Sequence, residues 1–105
     1  MNKELFEKII NYSGEKLALA AVIKTKDSSP RNAGAKMIIY PDGSTYGTIG
    51  GGPAEAEIIE ESKKLIKTGG CKKINFNLTN KEIAEHGGIC GGNVDIFVEV
   101  INIDD

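Results

Sequence analysis

Arg31 is the one arginine among 13 basic residues. It follows Ser28, Ser29 and Pro30, so a guanidinium stands beside two hydroxyls in a stretch that proline turns. A guanidinium grips phosphate or carboxylate with two parallel hydrogen bonds, which lysine cannot do. Without a ligand the same stretch is an exposed Ser-Pro loop. Gly50, Gly51 and Gly52 form a second group, placed where a strand should give way to a helix. Backbone amides at a helix N-terminus, with no side chains in the way, suit an anion such as phosphate. The alternative is a tight strand–helix turn with close packing. A Gly-x-Gly-x-x-Gly fingerprint is excluded, because Glu55 stands where the third glycine belongs. A Walker A loop is excluded too, since Pro53-Ala54 replaces Lys-Ser/Thr. Glu55 and Glu57 would repel an anion seated deep in this turn.

Cys90 lies in a third group, flanked by Gly87-Gly88-Ile89 and Gly91-Gly92. Amides around a sulfur favour the thiolate and make it reactive or sulfur-binding. A small buried hydrophobe ahead of a strand is the competing reading. Cys71, with no Cys-x-x-Cys partner, reads as ordinary packing. His86, the single histidine, stands four residues before Cys90. Two such groups fall short of the four ligands of a structural zinc site, and His86 reads as a turn-capping loop residue.

These groups need elements to hold them. Leu5, Phe6, Ile9 and Ile10 recur on one side of a helix over residues 3–12, which Gly14 stops. The apolar run from Leu17 to Lys24 suits a strand buried on both faces, although its alanines leave a helix as competitor. Residues 36–40 and 44–49 should pair as a hairpin across Pro41-Asp42-Gly43-Ser44. Pro53 opens a second helix, with Ile58, Ile59, Ser62, Leu65 and Ile66 as its buried stripe and Gly69-Gly70 as its stop. Its acidic start and its lysines at 63, 64 and 67 complement the helix dipole. Residues 72–78 alternate as a half-buried strand, and residues 80–85 fit one helical turn. Val94, Ile96, Val98 and Val100 face inward on a last strand over residues 94–101. The order predicts an α+β or α/β domain: about five strands in one mixed sheet and two main helices, one domain over residues 1–105.

The chain has 105 residues, 40% of them hydrophobic and 27% charged, which excludes extended disorder and collagen-like order. A net charge of −2 with no basic run argues against nucleic-acid binding. No apolar stretch is long enough to span a bilayer, and the start has no signal-peptide core, so a cytoplasmic protein is expected. Two cysteines cannot build a disulfide framework. With two glycine-rich loops the domain is short of core, and pairing as a homodimer would cover its edges.

Three blocks, taken together, resemble the XdhC/CoxI family. The first runs from Ser28 to Met37, the second from Gly47 through Gly50-Gly51-Gly52 to Glu55, and the third is Cys90-Gly91-Gly92 before an alternating Val/Ile strand. Their order and separations also fit, and the resemblance covers about residues 5–101. It implies an accessory protein, not an enzyme, that binds molybdenum cofactor as cargo, with or without a nucleotide. The implied role is to assist sulfuration of the cofactor and its insertion into a molybdenum hydroxylase such as xanthine dehydrogenase or carbon monoxide dehydrogenase. Implied partners are that apoenzyme, a cysteine desulfurase and a separate Rossmann-domain protein. Carried onto this sequence, Gly50, Gly51 and Gly52 would meet the phosphate or nucleotide part, and Arg31 with Ser28 and Ser29 would add charge-assisted hydrogen bonds. Cys90, beside Gly91 and Gly92, would lie near the sulfur or molybdenum end, and Glu55 would orient a pterin N–H edge. Pro53 stands where some relatives carry a cysteine, so no thiol can act there. The family's usual architecture adds a C-terminal Rossmann-like domain, whereas this sequence ends at Asp105, as a stand-alone protein, half of a split pair or a fragment would. Two other functions fit the residues: a docking module for that domain or for the hydroxylase, and a small sulfur-transfer protein centred on Cys90.

Overall fold

Alternation along the first strand explains the architecture. In a computed structural model, which describes residues 3–23, 34–50, 52–77 and 93–103, β1 (Lys16–Ile23) turns Ala18, Ala20 and Val22 to one face and Leu17 and Leu19 to the other. Both sets are buried, so the apolar run is a central strand and not a helix. The alanines take the face over which the longer helix lies, where a small side chain lets the helix approach. Two helices and five strands are present among the described residues: α1 (Lys3–Ile10), β1, β2 (Lys36–Ile39), β3 (Thr45–Gly47), α2 (Gly52–Thr68), β4 (Cys71–Asn77) and β5 (Asn93–Asn102).

The sheet order is β3-β2-β1-β5-β4. Every pair is antiparallel, so the expected mixed sheet is instead a uniform antiparallel one and the class is α+β. The reason lies in β5, which returns against both β1 and β4 and reverses direction relative to each. On one face Ala54, Ile58 and Ile66 of α2 pack on Met37, Ile39, Ile96 and Val98. On the other, Leu5 and Ile9 of α1 pack on Leu17, Leu19 and Ile38. The expected four-residue stripe of α1 narrows to these two: Phe6 is 52% exposed and Ile10 57%. An eight-residue helix lying on a sheet buries one i, i+4 line, and the positions one step round point away.

The β2–β3 hairpin closes through a three-residue loop, with Tyr40 N–H donating to the Ser44 carbonyl at 2.9 Å and Gly43 N–H to the Tyr40 carbonyl at 2.9 Å. Gly43 has φ +90°, as the bulged hairpin loop demands. At the far end β3 stops at Gly47, two residues earlier than expected. A Cβ on Gly47 would stand 2.7 Å from the Lys36 carbonyl oxygen, so only glycine fits this close crossing. The remaining boundaries shift by one residue or two: α1 ends at Ile10, α2 starts at Gly52, β4 spans 71–77 and β5 spans 93–102. Cys71 is exposed at the start of β4, not packed inside as its reading had it. The helical turn expected over 80–85 lies outside the described residues. Among the described residues no helix is long and apolar enough to cross a membrane.

Candidate functional site

The strand register brings the three glycine-rich or serine-rich connections to one end of the sheet. Ile23, the last residue of β1, pairs with Asp95 near the start of β5. Asn77, the last of β4, pairs with Asn93, the first of β5. Lys36, the first of β2, pairs with Ala21, and Gly47, the last of β3, pairs with Met37. The connections that hold Ser28, Ser29 and Arg31 and that hold Cys90, Gly91 and Gly92 therefore leave and re-enter the sheet at this one end, and the connection that holds the glycine triplet leaves it there for α2. Ser28, Ser29, Arg31, Gly51, Cys90, Gly91, Gly92 and His86 themselves lie outside the described residues. Of the predicted site residues, Gly50, Gly52 and Glu55 are described.

Those three belong to one small network. Glu55, in the first turn of α2, reaches back over the glycine turn. Its Oε1 accepts the Thr48 hydroxyl at 2.5 Å and the Ile49 N–H at 3.1 Å. Thr48 Oγ1 in turn accepts the Gly50 N–H at 3.0 Å. Between them Ile49 is fully buried in the α2-side core and pins the loop to the sheet. Gly50 and Gly52 have φ of +123° and +76°, where a side chain would be strained. The loop is thus held by a side chain below it and a carboxylate across it.

This geometry bears on two expected roles. The Gly50 amide donates to Thr48 Oγ1 within the loop. Glu55 Oε1 accepts two donors from the loop, so this oxygen holds the loop in place. A carboxylate bound at the first turn of a helix also suits the positive end of its dipole. Thr48 was not singled out from the sequence. A Thr seven residues ahead of a first-turn Glu, across a glycine turn, is the signal that could have found it.

A groove of about 840 Å³ lies elsewhere, at the opposite end of the sheet, between α1 and the Tyr40–Ser44 turn. It contains none of the predicted site residues. All three tyrosines of the chain, Tyr12, Tyr40 and Tyr46, line it.

Comparison with known proteins bears on the glycine end. The chain is 32% identical over 83 residues to the uncharacterized protein YqeB of Escherichia coli strain K12, an alignment spanning 79% of this chain and 15% of that protein. Its fold resembles a solved structure described as a xanthine dehydrogenase from Bacillus halodurans, with a TM-score of 0.75 and 23% identity. That match covers 95% of this chain and 30% of the other. The chain therefore spans under a third of the length of either relative. The sequence profile of the XdhC and CoxI family matches residues 12–77, which takes in β1 through β4 and the whole Thr48–Glu55 network. On that match over most of its length, the chain belongs to the XdhC and CoxI family.

Proposed function

We propose that this domain is the cofactor-handling part of an accessory protein for a molybdenum hydroxylase. It binds molybdenum cofactor as cargo, assists its sulfuration and passes it to the apoenzyme, with no turnover chemistry of its own. The observation that carries this reading is that all three connections have a root at the same end of the sheet, at the ends of β1 and β3 and between β4 and β5. That convergence lets groups far apart in sequence act on one ligand.

The described part of the loop fits such a cargo. Positive φ at Gly50 and Gly52 lets the backbone come close to a phosphate without a Cβ between them. Because the Ile49 and Gly50 amides donate within the loop, we assign the phosphate to Gly51, Gly52 and the amides of the first turn of α2. Arg31, with Ser28 and Ser29, adds charge-assisted hydrogen bonds from the adjacent connection. Cys90, with Gly91 and Gly92, stands toward the sulfur- and molybdenum-bearing end. Glu55 and Thr48 hold the loop in shape.

The test is an anaerobic titration of the protein with isolated molybdenum cofactor, following pterin fluorescence, which no tryptophan obscures in this chain. Saturable binding that Arg31→Ala or Cys90→Ala weakens is expected. A folded wild-type protein that leaves the pterin emission unchanged would remove the cargo assignment.

A further inference from the structure

The groove at the tyrosine end has a chemistry of its own. Glu4 and Glu7 on α1 and Asp42 in the hairpin turn give it three carboxylates, against the single ammonium of Lys8. Its formal charge is therefore −2. The whole chain has 15 acidic and 13 basic residues, so the remainder carries 12 of each sign and is neutral. Lys63 of α2 also stands beside the hairpin turn, where a Cβ on Gly43 would meet its Nζ at 3.7 Å, and its charge acts on Asp42, so the groove with this neighbour counted carries −1. The ion pairs formed among the described residues join Lys64 and Lys72 to Glu61 and Lys73 to Asp95, all remote from it.

Its walls are as specific as its charge. The Tyr12 and Tyr40 rings lie 5.2 Å apart at 46°, both half-buried against the α1-side core, and both line the groove. Tyr46 donates its hydroxyl hydrogen to Glu4 at 3.0 Å, which fixes that ring. Lys8 Nζ stands 5.3 Å from the Tyr46 centroid, so one wall already receives a cation. Asp42 is fixed as well: its Oδ1 accepts the Ser44 N–H at 2.9 Å and the Ser44 hydroxyl at 2.6 Å. Aromatic rings beside carboxylates are what a guanidinium or ammonium group needs, stacking on one and pairing with the other. The trough is open along its length, with Glu4, Glu7, Asn11 and Asp42 all exposed, whereas small-molecule sites enclose most of their ligand. Tyrosine facing arginine is also the pairing that protein interfaces favour.

We propose that this groove docks a basic segment of a partner protein, laying an arginine or lysine side chain against the tyrosine rings with Glu7 and Asp42 as countercharges. The groove is separate from the glycine end, and the proposal is independent of the cofactor reading.

The chain itself supplies the probe. It has no tryptophan, and its three tyrosines all line the groove, so tyrosine emission reports this site alone. The experiment titrates the protein at low ionic strength with a hexapeptide of alternating glycine and arginine, with a glutamine-for-arginine peptide as control. Free argininamide at matched guanidinium concentration forms a third arm. Expected is a saturable change with the arginine peptide only. The double variant Glu7→Gln/Asp42→Asn weakens it about tenfold, and Lys8→Ala, which removes the resident cation, strengthens it. Asn at position 42 keeps the oxygen that Ser44 needs, and far-ultraviolet circular dichroism checks that the variants are folded. No saturable change, an equal response to the glutamine peptide, or unchanged affinity in the double variant would overturn the proposal. Argininamide binding as tightly as the peptide would make this a small-cation site and overturn the partner assignment.

Discussion

Removing the Glu55 carboxylate should loosen the glycine loop by an amount the network allows us to work out. Glu55→Ala deletes the acceptor of two hydrogen bonds, one from the Thr48 hydroxyl and one from the Ile49 amide. Hydrogen bonds to a charged acceptor contribute about 1.5–3 kcal/mol each when buried, and less in contact with water. The Thr48 bond is exposed and the Ile49 bond part-buried, so the low end applies to both. Together they put the loss at about 2–3 kcal/mol. For a domain of this size that lowers the melting temperature by roughly 10–20 °C. Glu55→Gln keeps an oxygen at the same place without the charge and should lose about half as much. Thr48→Val removes the hydroxyl but keeps the shape, and it strands the Gly50 amide as well. The two residues share a bond, so their effects should not add. In a double-mutant cycle followed by urea unfolding, Glu55→Ala with Thr48→Val should cost less than the sum by about 1 kcal/mol. Additivity within about 0.3 kcal/mol, or a Glu55→Ala loss below about 0.5 kcal/mol, would refute the network as the device that holds the loop.

Two further outcomes are expected. Ser62 is fully buried on α2, and its hydroxyl has no hydrogen-bond partner among the described residues; Ser62→Ala removes that orphan and improves helix propensity, so thermal unfolding should rise by a few degrees, about 1 kcal/mol. A fall in stability would mean that the hydroxyl is satisfied in solution. The Ser44 hydroxyl and then its amide lower the Asp42 pKa from 3.8, so the carboxylate contributes stability above that value and loses it as pH falls through the folded-state midpoint. A carboxyl titration by nuclear magnetic resonance should therefore place the Asp42 midpoint below 3.8, with Ser44→Ala moving it back up; an unmoved midpoint would exclude the hydroxyl as its cause.

Much of the fold was legible in the chain because its signals are local. Pro41-Asp42-Gly43 dictates a turn whatever surrounds it, and the Ile58, Ser62, Leu65 and Ile66 spacing dictates a helix with one apolar stripe. Each helix and strand of the described residues lies within one or two residues of its expected bounds for that reason. Two features depend on partners that no local window contains. The fate of Phe6 and Ile10 turned on how narrow a contact a short helix makes with a sheet. The direction of β5 turned on which edges were available for pairing, and that made the sheet antiparallel throughout.

The same division runs through the candidate sites. Gly50, Gly52 and Glu55 could be singled out in sequence because glycine clusters and first-turn acids are local signs. Which atoms they use could not, since Glu55 turns back to Thr48 and Ile49 only once Ile49 is seated in the core. The tyrosine groove left no sign at all: Tyr12, Tyr40 and Tyr46 come from a helix end, a turn and an edge strand. Residue types and their spacing set the elements, the turns and the family of this chain, because those follow from a few neighbouring residues. The common end of the sheet at which the three connections are rooted and the charged tyrosine groove arose from strand register and helix packing, because both join residues that the chain itself holds far apart.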